Sequence, residues 1–266
     1  MYRGFKLNFE LSEFEVLGKK SSSLRDYICD NTNYERYYRI GKAKFDEYKQ
    51  EVSSELGYWV IGDSGVIDGT ELQEEWFPTV NCDIFISHSH KDEYLAIALA
   101  GWLYETFGLD SFIDSCIWGY ADELLKIIDD EHCRNTKQSY SYESRNHSTS
   151  HVHMMLNMAL MRMIDKTECL FFLNTPNSID LSDIETRTLS PWIYSEIGIS
   201  QMINKKIRTK KFSDNLDESL KISYKLDLSH LANITDSDLL QWKQKGAREV
   251  RALDMLYEII PALEKR

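Results

Sequence analysis

The sequence predicts an α/β fold in which parallel strands and helices alternate around one doubly wound sheet. Three short runs carry that expectation: CDIFIS (82–87), SFID (111–114) and ECLFFLN (168–174). Each is largely apolar instead of alternating, as strands covered on both faces are. Polar loops and segments with apolar residues at helical spacing separate them, the pattern of βαβ units.

Taken in order, residues 1–79 predict a small N-terminal α+β unit of their own. Phe5, Leu7 and Phe9 alternate with polar residues, which suits a half-buried strand. Tyr34, Tyr37, Tyr38, Tyr48 and Val52 place an amphipathic helix within 34–56. GYWVIG (57–62) reads as a strand, and DGTELQEEWFP (68–78) as a short helix stopped by Pro78. This unit shows no catalytic constellation, so its expected role is structural or partner-contacting.

Residues 80–266 predict the main domain. After the first strand come the polar loop HSHKDE and a helix to about Phe107; after SFID come the loop SCIWGYAD and a helix to about Asp130. CRNTKQSYSYESRNHSTS (133–150) is polar and unperiodic and reads as an exposed insertion, with Ser148 or Ser150 capping the helix that follows. Val152, Met155, Leu156, Ala159, Leu160 and Met163 give that helix a core stripe. SPWIYSEIGISQMI (190–203) is a further helix and KISYKLDLS a strand. A C-terminal helical extension from about Ala247 carries Val250, Leu253, Leu256 and Ile260. Sheets of this kind bind ligands beyond the carboxyl ends of their strands, so the segments after Ser87, Asp114 and Asn174 should border one cleft.

Composition narrows the chemistry. Of 266 residues 42% are apolar, enough for a sizeable core, and 43 acidic against 31 basic side chains leave a net charge of −12. Such a surface repels phosphates and argues against nucleic-acid or anionic-membrane partners, although backbone amides at helix N-termini can still hold a small anion. The five cysteines form no CxxC pair, and Cys82 and Cys169 sit in apolar runs; a reduced, cytoplasmic protein is expected. MYRGFKLNFELSEF lacks the apolar core of a signal peptide, and no apolar run is long enough to span a bilayer. Two HxH pairs, His88/His90 and His151/His153, raise a metal site. However, His151 and His153 fall at a helix start where i,i+2 side chains diverge, and no third ligand has suitable spacing, so no metal is expected.

DIFISHSHKDE (83–93) resembles the first box of TIR (Toll/interleukin-1 receptor-like) domains, a strand ending in a serine-rich loop. FID (112–114) with the glycine-containing loop after it resembles the second strand and its BB loop. SPWIYSE (190–196) resembles the helix start that TIR enzymes present as serine, tryptophan and, four residues on, glutamate. Three motifs in the expected order over roughly half the chain make the resemblance specific. It implies a flavodoxin-like parallel sheet and, because the glutamate is present, the NAD-cleaving branch of the family instead of its adaptors. The SHSHKD box and insert-bearing layout look most like bacterial antiphage TIR proteins of the Thoeris type. The resemblance then implies an ADP-ribose-derived signal, cyclic or conjugated, that a separate effector senses, and self-association through TIR surfaces. NAD would be the substrate, with no other cofactor.

The residues suit that chemistry. Nicotinamide leaves NAD from a cationic state and needs no general acid, whereas the oxocarbenium-like ribosyl group needs a carboxylate beside it. Glu196 is the candidate catalytic group: on a helix it sits among Trp192, Ile193, Ile199 and Ser200, an apolar setting that is costly for a carboxylate unless it faces a cleft or partner. Ser87, His88 and Ser89 can offer donors to phosphate, Asp114 can hold ribose hydroxyls or cap its loop, and Trp118 and Trp192 can stack on a flat ring. Each also has an ordinary packing role open to it. Two other functions stay open at this point, a non-catalytic TIR adaptor and a nucleoside or nucleotide N-glycosidase, because fold alone does not choose among them.

Overall fold

The computed structural model describes residues 3–8, 31–53, 68–135, 139–179, 187–203, 224–225 and 227–260. Its strands are β1 (Arg3–Asn8), β2 (Ile84–Ser87), β3 (Ser111–Ile113), β4 (Cys169–Asn174), β5 (Arg187–Thr188), β6 (Tyr224–Lys225) and β7 (Ala232–Ile234). Its helices are α1 (Asn31–Ser53), α2 (Gly69–Trp76), α3 (Glu93–Phe107), α4 (Ser115–His132), α5 (Tyr142–Lys166), α6 (Pro191–Ile203), α7 (Asp236–Gln244) and α8 (Val250–Ile259). Five strands form one parallel sheet in the order β3-β2-β4-β1-β7, while β5 and β6 pair antiparallel as a separate ladder. The fold is therefore α/β, with helices on both faces of an all-parallel sheet, consistent with a flavodoxin-like arrangement.

Side-chain alternation divides the core into two halves. Phe5, Leu7, Ile84, Ile86, Phe171 and Leu173 point to one face, under α1, α3, α7 and α8. Phe85, Phe112, Leu170 and Phe172 point to the other, under α2, α4, α5 and α6. Local chemistry sets the helix ends. Asp68 caps α2 by accepting from Thr70 N and Glu71 N, Gly108 ends α3 at a φ of 73°, and Thr235 and Asp238 close a reciprocal capping box on α7.

The division expected at residue 80 does not follow the sheet. β1 lies between β4 and β7, pairing Arg3–Asn8 with Cys169–Asn174 and Phe5–Leu7 with Ala232–Ile234. α1 packs directly on α3: a Cβ at Gly41 would stand 1.9 Å from the carbonyl oxygen of Ile97, and one at Gly101 would stand 1.9 Å from that of Tyr37. The backbones of these helices thus touch, and the N-terminal segment builds the same core as the rest.

Three smaller corrections follow. The stretch 142–150 is largely exposed, as expected, but it forms the first turns of α5 instead of an irregular insertion, capped by Ser141 through Ser144 N, with Ser148 buried against Asp129. The SCIWGYAD segment is helical from Ser115 onward. Within KISYKLDLS only Tyr224–Lys225 is described as strand, and β7 and α7 are additional elements. The strand expected at 57–62 lies outside the described residues.

Candidate active site

The chain leaves β2 toward β3 on one side and reaches β4 on the other, so the carboxyl ends of β2 and β4 mark the point where connections diverge, the usual ligand crevice of such sheets. Four polar side chains meet at this end. Ser87 is the last residue of β2, His88 the next, and Asp114 directly follows β3, which pairs with β2 through Ile86 and Ile113. Glu196 comes from the second turn of α6. Its helix is started by Ser190, which accepts from Ile193 N at 3.3 Å, and by Pro191 in the first turn, where a missing N–H costs nothing. The inward stripe of that helix, Ile193, Ile197 and Ser200, carries Glu196 into the interior.

All four side chains are fully buried. Ser87 Oγ donates to Glu196 Oε2 at 2.7 Å, joining groups 109 residues apart. His88 Nδ1 lies 2.9 Å from Asp114 Oδ1. Complete burial pushes the Glu196 carboxyl well above the ordinary carboxylate range, and the negative charge and hydrogen bond of Asp114 push the same way, while the Ser87 hydroxyl opposes them. For His88 burial acts to lower the pKa, but the charge and hydrogen bond of Asp114, with the Ile86 carbonyl and Glu93, outweigh it and hold the imidazole above its usual value. The arrangement gathers two carboxyl groups, an imidazole and a hydroxyl in one buried cluster.

The other expected contacts are less central. Ser89 is half-buried and precedes the short turn His90–Asp92 without capping it through its side chain. Trp192 is half-buried one turn before Glu196, with the ring of His153 set edge-on at 5.8 Å. Trp118 lies in the first turns of α4 instead of an open loop, and its side chain is outside the described residues. The histidine pairs do not converge: His88 is buried and His90 exposed, while the ring of His151 lies tilted beside that of His147 with centroids 4.5 Å apart and His153 faces Trp192. Among the described residues no three His, Cys, Asp or Glu side chains gather as a metal set.

Two features of this edge were not singled out from the sequence. Asp92, after β2, is bonded by Thr175 Oγ1 and by Asn177 Nδ2 at 2.7 Å, so the loops following β2 and β4 are tied across the crevice. The Thr-Pro-Asn-Ser turn after β4 was the only signal for it. One turn beyond Glu196, Ser200 Oγ is 2.7 Å from His230 Nε2. Burial lowers His230 below its usual value against the opposing charge of Asp227. No local pattern announces that pairing. A small cleft of about 10 Å³, room for roughly one water, lies instead at the amino end of β3, between Gly41, Lys44, Tyr104 and Asp110. It is far too small for a nucleotide. Among the described residues no helix is long and apolar enough to cross a membrane. Comparison with family models, curated proteins and solved structures finds no match to this chain.

Proposed function

We propose that this chain is a TIR-type enzyme that cleaves the nicotinamide–ribosyl bond of NAD. The observation that carries the reading is Glu196, a carboxyl delivered by a helix to the carboxyl ends of β2 and β3, where it accepts a hydrogen bond from Ser87. The three sequence motifs with the TIR resemblance supply the residues of this one cluster: Ser87 and His88 from the first, Asp114 from the second and Glu196 from the third.

In this mechanism the positively charged nicotinamide ribosyl group replaces the proton on Glu196. The carboxylate so formed stands beside C1′ of the ribose and stabilises the oxocarbenium character that grows as the C–N bond breaks and nicotinamide takes the electron pair. Water, an adenine nitrogen of the same molecule or a small nucleophile then forms the new bond to C1′ and gives up its proton. The same resemblance supports an ADP-ribose-derived signal for a separate effector in antiphage defence. Complete burial of Ser87, His88, Asp114 and Glu196 fits an enzyme that is silent until a trigger or self-association opens the crevice.

That burial also favours a second reading, a TIR adaptor in which the cluster only ties α6 to the sheet. Incubating the protein with NAD and, separately, nucleoside monophosphates over a range of protein concentrations separates these readings. Nicotinamide release that rises more steeply than protein concentration supports the enzyme. Base release from monophosphates alone supports an N-glycosidase, and no release beside intact partner recruitment supports the adaptor.

A further inference from the structure

We propose that the outward face of α5 is a docking surface for a second copy of this chain, the two helices lying antiparallel about a two-fold axis at Leu156. The inference stands apart from the NAD reading, and α5 lies outside the three segments that resemble TIR motifs.

The spacing of one stripe carries the argument. His147, His151, Met154, Met158, Met161 and Asp165 recur at alternating steps of four and three residues. That rhythm keeps a seam on one side of a helix, as at the a and d positions of a coiled coil. All six side chains are exposed, and the three methionines show 62%, 40% and 38% of their surface to solvent. The opposite side of α5, with Val152, Leu156 and Met163, is buried in the core. Between these two sides α5 is held by its own chain. Arg145 Nε donates to Asp129 Oδ2 of α4 at 2.7 Å, Ser195 Oγ of α6 donates to Asn157 Oδ1 at 2.8 Å, and Arg162 pairs with Glu74 of α2 at 4.0 Å. These contacts leave the seam facing outward.

Self-complementarity selects the occupant. In an antiparallel pair centred on Leu156, Met154 of one copy faces Met158 of the other, His151 faces Met161, and His147 faces Asp165. The centre is then apolar and both ends are polar, the usual section of a protein interface, in which methionine is enriched. An imidazole donates an N–H to a carboxylate whether or not it carries a second proton, so each end closes on a hydrogen bond. Parallel pairing would instead set the two Asp165 carboxylates against each other, which is unfavourable. From His147 to Asp165 the seam is about 27 Å long and one helix wide. That is less than a standard interface covers, so association is weak and rises with concentration. The Asn157–Ser195 bond ties the paired helix to α6 one residue before Glu196.

The test is sedimentation equilibrium of the full chain from micromolar to near-millimolar concentration, where a monomer–dimer equilibrium is expected. Met158→Glu puts carboxylates at the centre of the seam and should raise the dissociation constant at least about tenfold; Met154→Glu should do the same independently. Asp165→Lys sets an ammonium against His147 and should weaken the dimer. Adding His147→Glu to Asp165→Lys restores opposite charges across both ends of an antiparallel pair and should recover the affinity. All four positions are exposed, and thermal unfolding confirms that each variant folds as the wild type does. A chain that stays monomeric throughout would leave the seam to a different protein and overturn the proposal. A dimer untouched by Met158→Glu and Met154→Glu would place the contact elsewhere and overturn it too. A double variant no tighter than Asp165→Lys alone would overturn the antiparallel pairing.

Discussion

Substituting Gly41 by Ala tests whether the N-terminal segment belongs to the core. The added Cβ would sit 1.9 Å from the Ile97 carbonyl oxygen and 3.0 Å from Gly101 N, where ordinary contact begins at 3.4 Å. The first of these contacts is short by about 1.5 Å, and both partners are helix backbone that no rotamer change can clear. α1 must therefore lift from α3, loosening the buried Tyr37 and Phe45. Overpacking of this kind costs about 1–3 kcal/mol, and rigid backbone on both sides places it near the top of that range. Alanine recovers about 1 kcal/mol as the better helix former. The net loss of about 2 kcal/mol lowers Tm by roughly 4–8 °C in thermal unfolding followed by circular dichroism. Gly198, in α6, has nothing within 4 Å of the same position, so Gly198→Ala should raise Tm by a few degrees instead. A Gly41→Ala protein as stable as the wild type would refute the docking of α1 and restore a separate N-terminal unit.

Glu196→Gln should change how stability depends on pH. The folded protein retains a carboxyl proton that the unfolded chain releases above the ordinary value of 4.5, so the wild type loses about 1.4 kcal/mol per pH unit relative to the variant until the raised folded value is passed. Urea titrations across that interval check it, and a pH-independent difference would contradict it. Trp242 is fully buried, stacks on Phe107 with centroids 3.7 Å apart and donates from Nε1 to Ala252 O at 2.6 Å; Trp242→Ala should cost about 3–5 kcal/mol by denaturant unfolding. Cys82, Cys133 and Cys169 are buried, and burial above all pushes the Cys82 thiol up to about 12. A thiol reagent analysed by mass spectrometry should leave these three unlabelled in the native protein and label them after denaturation.

Much of this was written locally in the sequence. Strands β2 and β4 are uninterrupted apolar runs because both their faces are covered, and the Ser-Pro start of α6 fixes the phase that turns Glu196 inward. Ser87 and Asp114 were legible at the strand ends for the same reason. What could not be read depends on distant partners. β1 looks like a half-buried strand since Arg3 and Lys6 interrupt it, and its central place comes from pairing with β4, more than 160 residues away in the chain. Arg3 is accommodated by stacking over Tyr257 at 4.4 Å. The first turns of α5 are polar and mostly exposed, so the apolar period begins only at Val152. β7, with three residues, is too short for periodicity to reveal. The link from Asp92 to Thr175 and Asn177 joins two loops whose meeting only the sheet order determines.

The central claim is tested most directly by incubating wild type and Glu196→Gln with NAD at high protein concentration, with and without phage-infected lysate, and analysing all products by mass spectrometry. The account predicts nicotinamide and an ADP-ribose-derived product from the wild type and neither from the variant, with the second mass naming the acceptor. Intact NAD under both conditions, or equal cleavage by Glu196→Gln, would contradict it.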